Sequence, residues 1–141
     1  MLIALHAAAL VPLLFAARQD WKSKKISDRW CALILGAAAA LASWKGEWLF
    51  HIKGFLVIGI PLLLYATAVK NGVGGGDVKL SAAVGALVGA GAGIGCLFFS
   101  LLLLVVHLKI RREQHGAFAP YLFVAYFSYF VISVSLIFMR R

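Results

Sequence analysis

The feature that most constrains the fold is a succession of six apolar runs that are separated by short basic clusters. The runs cover about residues 2–17, 30–44, 54–69, 78–92, 94–108 and 120–139. Several hold about 16 residues, or about 24 Å of helix, against a hydrocarbon core of about 30 Å. Because backbone in lipid must satisfy its own hydrogen bonds, each run is predicted to be a helix. The sequence therefore predicts an all-α, polytopic membrane bundle of about six transmembrane helices, forming one domain over residues 1–141.

The basic residues indicate both the environment and the orientation of the chain. A net charge of +9 can accompany nucleic-acid binding, but here the charges flank apolar runs and the mean hydropathy is +0.95. Membrane lipid is therefore a predicted partner and nucleic acid is not. With six spans and the N-terminus outside, ten of the 14 Lys and Arg residues face the cytoplasm, as the positive-inside rule favours. The predicted location is the cytoplasmic, or inner, membrane.

Two further patterns concern packing and metal binding. Gly85, Gly89 and Gly93 follow one another at intervals of four, a spacing that lets helices approach closely in lipid. The fourth helix is therefore predicted to lie inside the bundle. Cys31 and Cys96 lie in separate apolar runs without a CxxC pair, and the four histidines are scattered over both predicted membrane sides. No metal and no cofactor is predicted.

The stretch Gly72–Gly76 contains four glycines and is followed at once by Asp77, where the fourth apolar run begins. Glycine allows unusual backbone angles and close approach of another chain. An ionisable group at the edge of the hydrocarbon is costly and points to a function. We interpret Gly74, Gly75 and Gly76 as an active-site loop beside Asp77.

Asp20 is the predicted partner of Asp77. It follows the first run, and two complete spans separate the two residues, so both lie on the same membrane side. Two neighbouring carboxylates cannot both ionise easily, and such a pair shares a proton. One member can then deprotonate a water while the neutral member protonates the oxygen of a peptide carbonyl, which is the chemistry of aspartic proteases.

At these residues the sequence resembles the GxGD family of membrane aspartyl proteases, in particular the prepilin and preflagellin peptidases. Gly74-Gly75-Gly76-Asp77 is similar to the GxGD element, and Val78-Lys79-Leu80 to its usual continuation. Asp20, with Ile26 and Asp28 after it, is similar to the first aspartate motif, although Ser27 replaces a proline. The segment 117–122 resembles the element that opens the last span of the family.

The resemblance implies an aspartic endopeptidase with Asp20 and Asp77 as the catalytic pair. It implies a pilin-like or flagellin-like precursor as the partner, whose short basic leader is cut at the cytoplasmic membrane face. Longer members carry a cysteine-bearing region that accompanies methylation of the new amino terminus. This sequence has no CxxC pair, so we expect cleavage without methylation. Its compact size resembles that of the short peptidases of Flp or tight-adherence pili, or of a related archaeal preflagellin type. The sequence leaves the oligomeric state open.

Alternative interpretations remain open for the supporting residues and for the overall function. Asp28 either orients the first loop or forms an ion pair with Lys24 or Lys25, and Lys79 either lowers the pKa of Asp77 or anchors the helix at the interface. The same carboxylates would suit a small transporter or proton-coupled channel, although such proteins place them near the midplane. A non-catalytic pilus-assembly subunit is the third hypothesis.

Overall fold

The computed structural model describes residues 2–69, 73–112 and 116–139. Gly72 of the glycine stretch, and Lys70, Arg140 and Arg141 of the charge count, lie outside the described residues. The described part contains six helices: α1 (Leu2–Ser23), α2 (Asp28–Lys45), α3 (Trp48–Ala68), α4 (Gly75–Val88), α5 (Ala90–Arg111) and α6 (Ala119–Met139). The prediction of an all-helical fold is confirmed.

Helix α4 is the centre of the bundle, because α2, α3, α5 and α6 all pack against it. Every residue from Leu80 to Val88 is buried. The backbones of α3 and α4 touch directly. A Cβ added to Gly85 would lie only 2.6 Å from the carbonyl oxygen of Gly54, so this position has no room for a side chain. Small residues therefore let α4 sit inside the bundle, as the glycine spacing predicts.

The boundary between α4 and α5 differs from the prediction. The predicted fourth span, 78–92, continues past the point where α4 ends at Val88. Gly89 has a φ of 85°, which breaks the helix and which a residue with a Cβ rarely adopts. The chain reverses there, so a Cβ on Gly93 would lie 3.0 Å from the Cα of Gly85. Gly89 is thus a turn residue, whereas Gly85 and Gly93 are packing residues.

The outer helices carry apolar side chains on their exposed faces. Leu64 of α3, Phe98 of α5 and Ile132 of α6 are each more than half exposed. Among the described residues, α3, α5 and α6 are long and apolar enough to cross a membrane. Helix α4 has 14 residues, about 21 Å, and is covered by its neighbours instead of lipid. The fold is consistent with a polytopic bundle, while six spans and an outside N-terminus stay predictions.

Helix α1 extends further into the basic cluster than the apolar run does. It continues through Asp20 to Ser23, whose hydroxyl donates to the carbonyl oxygen of Gln19 at 2.9 Å. Lys24 has a φ of 51°, a left-handed conformation that ends helices. Gln and Lys are good helix formers, which explains the additional turn. Only residues 24–27 connect α1 to α2, so Asp20 is held by a helix and not by a loop.

The helices alternate in direction, which gives the bundle two distinct ends. We call the end that holds Asp20 and Asp77 the acidic end; there α1 finishes and α2, α4 and α6 begin. We call the other end, which holds His6 and His51, the histidine end.

Candidate functional site

Asp20 is buried at the acidic end with 5% of its surface exposed. Its Oδ2 accepts a hydrogen bond of 3.0 Å from the backbone N–H of Ala119, the first residue of α6. The first N–H groups of a helix have no partner within the helix, and a carboxylate satisfies them well. Asp20 therefore caps α6 from α1. The sequence marked 117–122 as important but did not identify its backbone as the partner of Asp20.

Asp77 is the third residue of α4 and lies half-buried in its first turn. Its N–H donates to the carbonyl oxygen of Gly74 at 3.0 Å, and its carboxylate accepts from the N–H of Gly74. The second bond is one half of a capping box, in which the side chain at the third helical position reaches back to the N-cap N–H; Gly74 has no side chain to make the other half. A Cβ on Gly74 would lie 3.2 Å from Oδ2 of Asp77, so the missing side chain gives the carboxylate room.

The predicted active-site loop is thus shorter than the sequence suggested. Gly74 precedes the helix with extended backbone angles, but Gly75 and Gly76 already belong to α4. The capping by Asp77 explains why the helix begins this early. A Cβ on Gly76 would lie 3.1 Å from the Cβ of Ile26, so Gly76 allows the α1–α2 connection to pass over the helix.

The electrostatics of the two carboxylates depend on their mutual distance and on burial. Both lie outside the predicted spans 2–17 and 78–92. Burial raises the pKa of Asp20, although the N–H groups of Ala119 and Phe118 and the charge of Lys24 act in the opposite direction. Burial, and then the negative charge of Asp20, raise the pKa of Asp77 to about 6. The structure therefore brings these two predicted site residues close enough to interact.

The two supporting candidates, Asp28 and Lys79, contact each other. Lys79 Nζ donates to Oδ1 of Asp28 at 2.8 Å, and both side chains are more than half exposed. Asp28, for which the sequence left open a role in orienting the first loop or an ion pair with Lys24 or Lys25, thus links α2 to α4 through Lys79. Of the two roles considered for Lys79, lowering the pKa of Asp77 finds no support, because the causes that shift this pKa are burial, the charge of Asp20 and the hydrogen bond from Gly74.

Sequence reasoning also missed an aromatic cluster beside Asp20. The ring of His107 lies 6.2 Å from that of Trp21 and 5.7 Å from that of Tyr121, measured between centroids. These rings come from α1, α5 and α6, so no local pattern could reveal them. Trp21 is 60% exposed, which leaves an aromatic surface next to the carboxylates.

The arrangement can perform acid–base chemistry without a metal donor set. In the part of the chain that the structure describes, no three His, Cys, Asp or Glu side chains group closely enough to hold a metal ion. Two interacting carboxylates in different surroundings can divide the roles of acid and base between them.

Comparison with known proteins and protein families shows which family the chain matches. Neither a curated protein nor a solved structure matches the chain. The model of the type IV leader peptidase family matches residues 7–109, well over half of the chain and including both aspartates. This family processes prepilin-like proteins. The all-helical bundle and the extensive match together establish that the chain belongs to the type IV leader peptidase family and is a protease of that type.

Proposed function

We propose that the protein is a membrane aspartyl endopeptidase that removes the short basic leader of a pilin-like or flagellin-like precursor. The observation that carries the proposal is the pair of carboxylates at the acidic end, where Asp20 contributes to raising the pKa of Asp77 to about 6. A raised acid pKa that comes from burial and a specific charged neighbour is characteristic of catalytic groups.

The surroundings of each carboxylate assign it a role. Asp20 accepts a hydrogen bond from the N–H of Ala119, which stabilises its ionised form. Asp77 has the higher affinity for the shared proton, because burial, and then the charge of Asp20, raise its pKa to about 6, whereas the N–H groups of Ala119 and Phe118 oppose the rise in the pKa of Asp20. Asp20 is thus the base and Asp77 the acid.

The reaction follows from this assignment. A water between the two carboxylates gives one proton to Asp20, and its oxygen adds to the carbonyl carbon of the scissile peptide. Asp77 donates its proton to the carbonyl oxygen at the same time. The tetrahedral intermediate then collapses, the amide nitrogen takes the proton from Asp20, and the C–N bond breaks. The intermediate returns its hydroxyl proton to Asp77, which restores the starting state.

The glycines and the ion pair support this site. Gly74 carries no side chain that would crowd Asp77, so an extended substrate can reach the carboxylate. The ion pair between Asp28 and Lys79 joins the start of α2 to the first turn of α4, and Ile26 covers Gly76 beside it. These contacts hold the first turn of α4 in place relative to α1.

The charges at the acidic end bear on the orientation of the protein and on how it binds its substrate. The acidic end carries most of the basic residues, among them Lys22, Arg29 and Lys109, and the positive-inside rule supports our proposal that it faces the cytoplasm at the inner membrane. A basic leader meets repulsion there, so the apolar helix of the precursor supplies most of the affinity by packing against the bundle. The new amino terminus stays unmethylated, since Cys31 and Cys96 are buried in separate helices and form no CxxC pair.

The experiment is incubation of the purified protein with a precursor that carries a basic leader before an apolar segment, followed by mass analysis of the products. We expect one new amino terminus at the leader boundary, unmethylated even when S-adenosylmethionine is present. Asp20→Asn and Asp77→Asn should leave the precursor intact, whereas Glu47→Gln, which changes a carboxylate at the histidine end, should cleave normally. Cleavage by either Asn variant at the wild-type rate would refute the aspartic mechanism.

A further inference from the structure

Two histidines at the histidine end are each held by their Nδ1 atom. His51 Nδ1 lies 2.6 Å from the carbonyl oxygen of Ala86, which can only accept, so Nδ1 carries the ring hydrogen. The hydroxyl of Tyr126 donates its one hydrogen to the carbonyl oxygen of His6 at 3.0 Å. His6 Nδ1, 3.1 Å from that hydroxyl oxygen, must therefore donate to it. In the neutral form of each ring, Nε2 remains a hydrogen-bond acceptor.

The Nε2 atom of His51 has no donor. His51 is 7% exposed, and its Nε2 is buried without a hydrogen-bond partner among the described residues. A buried acceptor that stays unpaired is costly, and such groups are rare in folded proteins. The Nε2 atom of His51 therefore needs a hydrogen-bond donor from a molecule other than this chain.

The cavities around the two histidines indicate the shape of the molecule that would supply this donor. A cavity of about 130 Å³ lies against His6, Lys45, His51 and Tyr129. His6 also borders a groove of about 360 Å³ between α1 and α6, and His51 borders one of about 300 Å³ between α2 and α3. Both grooves are lined mainly by apolar side chains. A small chamber with a mixed polar and apolar lining is thus flanked by two apolar grooves.

One charged side chain, Lys45, borders the chamber. Lys45 contributes an ammonium group, which lies 3.8 Å from Oε2 of Glu47. That distance exceeds the length of a charge-assisted hydrogen bond, about 2.8 Å, so the ammonium can take a closer anionic partner. The chamber is therefore bordered by one cation and by two imidazole rings.

We propose that the histidine end binds a glycerophospholipid whose anionic headgroup also carries hydroxyl groups, as in phosphatidylglycerol. The phosphate pairs with Lys45, headgroup hydroxyls donate to Nε2 of His51 and of His6, and the acyl chains occupy the two flanking grooves. A choline headgroup lacks the hydroxyl donors and brings a positive charge towards Lys45. The site lies at the opposite end of the bundle from the aspartates and does not depend on the peptidase mechanism.

The test is native mass spectrometry of the protein after extraction from vesicles with equal amounts of phosphatidylglycerol and phosphatidylcholine. We expect the wild type to retain phosphatidylglycerol about tenfold more than phosphatidylcholine, since the preference rests on charge-assisted hydrogen bonds. Lys45→Gln and His51→Phe should lose the preference. The matched changes Lys53→Gln, on the exposed face of α3, and His107→Phe, at the acidic end, should keep it.

Three outcomes would overturn the proposal. The first is equal retention of the two lipids by the wild type, which would mean that water alone fills the chamber. The second is an unchanged preference in Lys45→Gln, a variant expected to fold because this side chain is partly exposed. The third is displacement of the lipid by an equal concentration of glycerol phosphate, which would show that the grooves hold no acyl chains.

Discussion

Asp20 and Asp77 carry the same functional group in different surroundings. Asp20 is almost fully buried and is hydrogen bonded by the first residue of another helix, α6. Asp77 is half-buried and is hydrogen bonded within its own turn, by Gly74. One carboxylate is therefore fixed between two helices, while the other lies at a glycine-rich helix start with more freedom. The difference teaches that two side chains of the same type can acquire different surroundings through packing, and in the proposed mechanism these surroundings separate the base from the acid.

The largest expected difference between the two carboxylates comes from lengthening each of them by one methylene. Asp20→Glu should lower the cleavage rate about 100-fold, because the buried site cannot accommodate a shift of about 1 Å. Asp77→Glu should lower it about tenfold, since Gly74 leaves space beside this carboxylate. The measurement is the initial rate of precursor cleavage at equal amounts of inserted protein. Equal losses for the two variants would show that the surroundings do not distinguish the aspartates.

The pH dependence of the cleavage rate tests which of the two carboxylates holds the shared proton. The active form carries one proton on the pair, and the pKa of Asp77 is about 6. As the pH rises above that value, Asp77 loses its proton and the rate should fall about tenfold per pH unit. At low pH the rate should fall again when Asp20 is protonated, at a pKa above the ordinary value for Asp. A rate that is constant from pH 6 to pH 8 would contradict the assignment.

The smallest effect concerns the ion pair that braces the first turn of α4. Because Asp28 and Lys79 are exposed, Asp28→Lys or Lys79→Asp should lower the rate only about two- to threefold. The double variant, which reverses the pair, should recover most of the rate and thereby serves as its own control. The measurement is the rate at low and high salt. A double variant that is slower than either single variant would show that the ion pair does not stabilise the first turn of α4.

The helical class, and the position of both aspartates at one end of the bundle, could be predicted from the sequence because those features are local. Apolar runs mark helices directly, and the order of the runs places Asp20 and Asp77 at the same end without any knowledge of packing. The central position of α4 followed from small residues such as Gly85.

The remaining features depend on contacts between distant parts of the chain. The hydrogen bond from Ala119 to Asp20 joins residues 99 positions apart, and the ion pair of Asp28 with Lys79 joins residues 51 apart. No sequence pattern encodes such a contact. The break at Gly89 was missed for another reason, since a packing glycine and a glycine with positive φ look alike in a sequence.

The most direct test of the central claim is the cleavage rate of Asp20→Asn, Asp77→Asn and the double variant, measured in parallel with the wild type. If the two carboxylates act as one unit, each single variant should lose at least about 100-fold, and the double variant should lose no more than either. A single variant that keeps a tenth or more of the rate, or losses that multiply in the double variant, would contradict a proton-sharing pair.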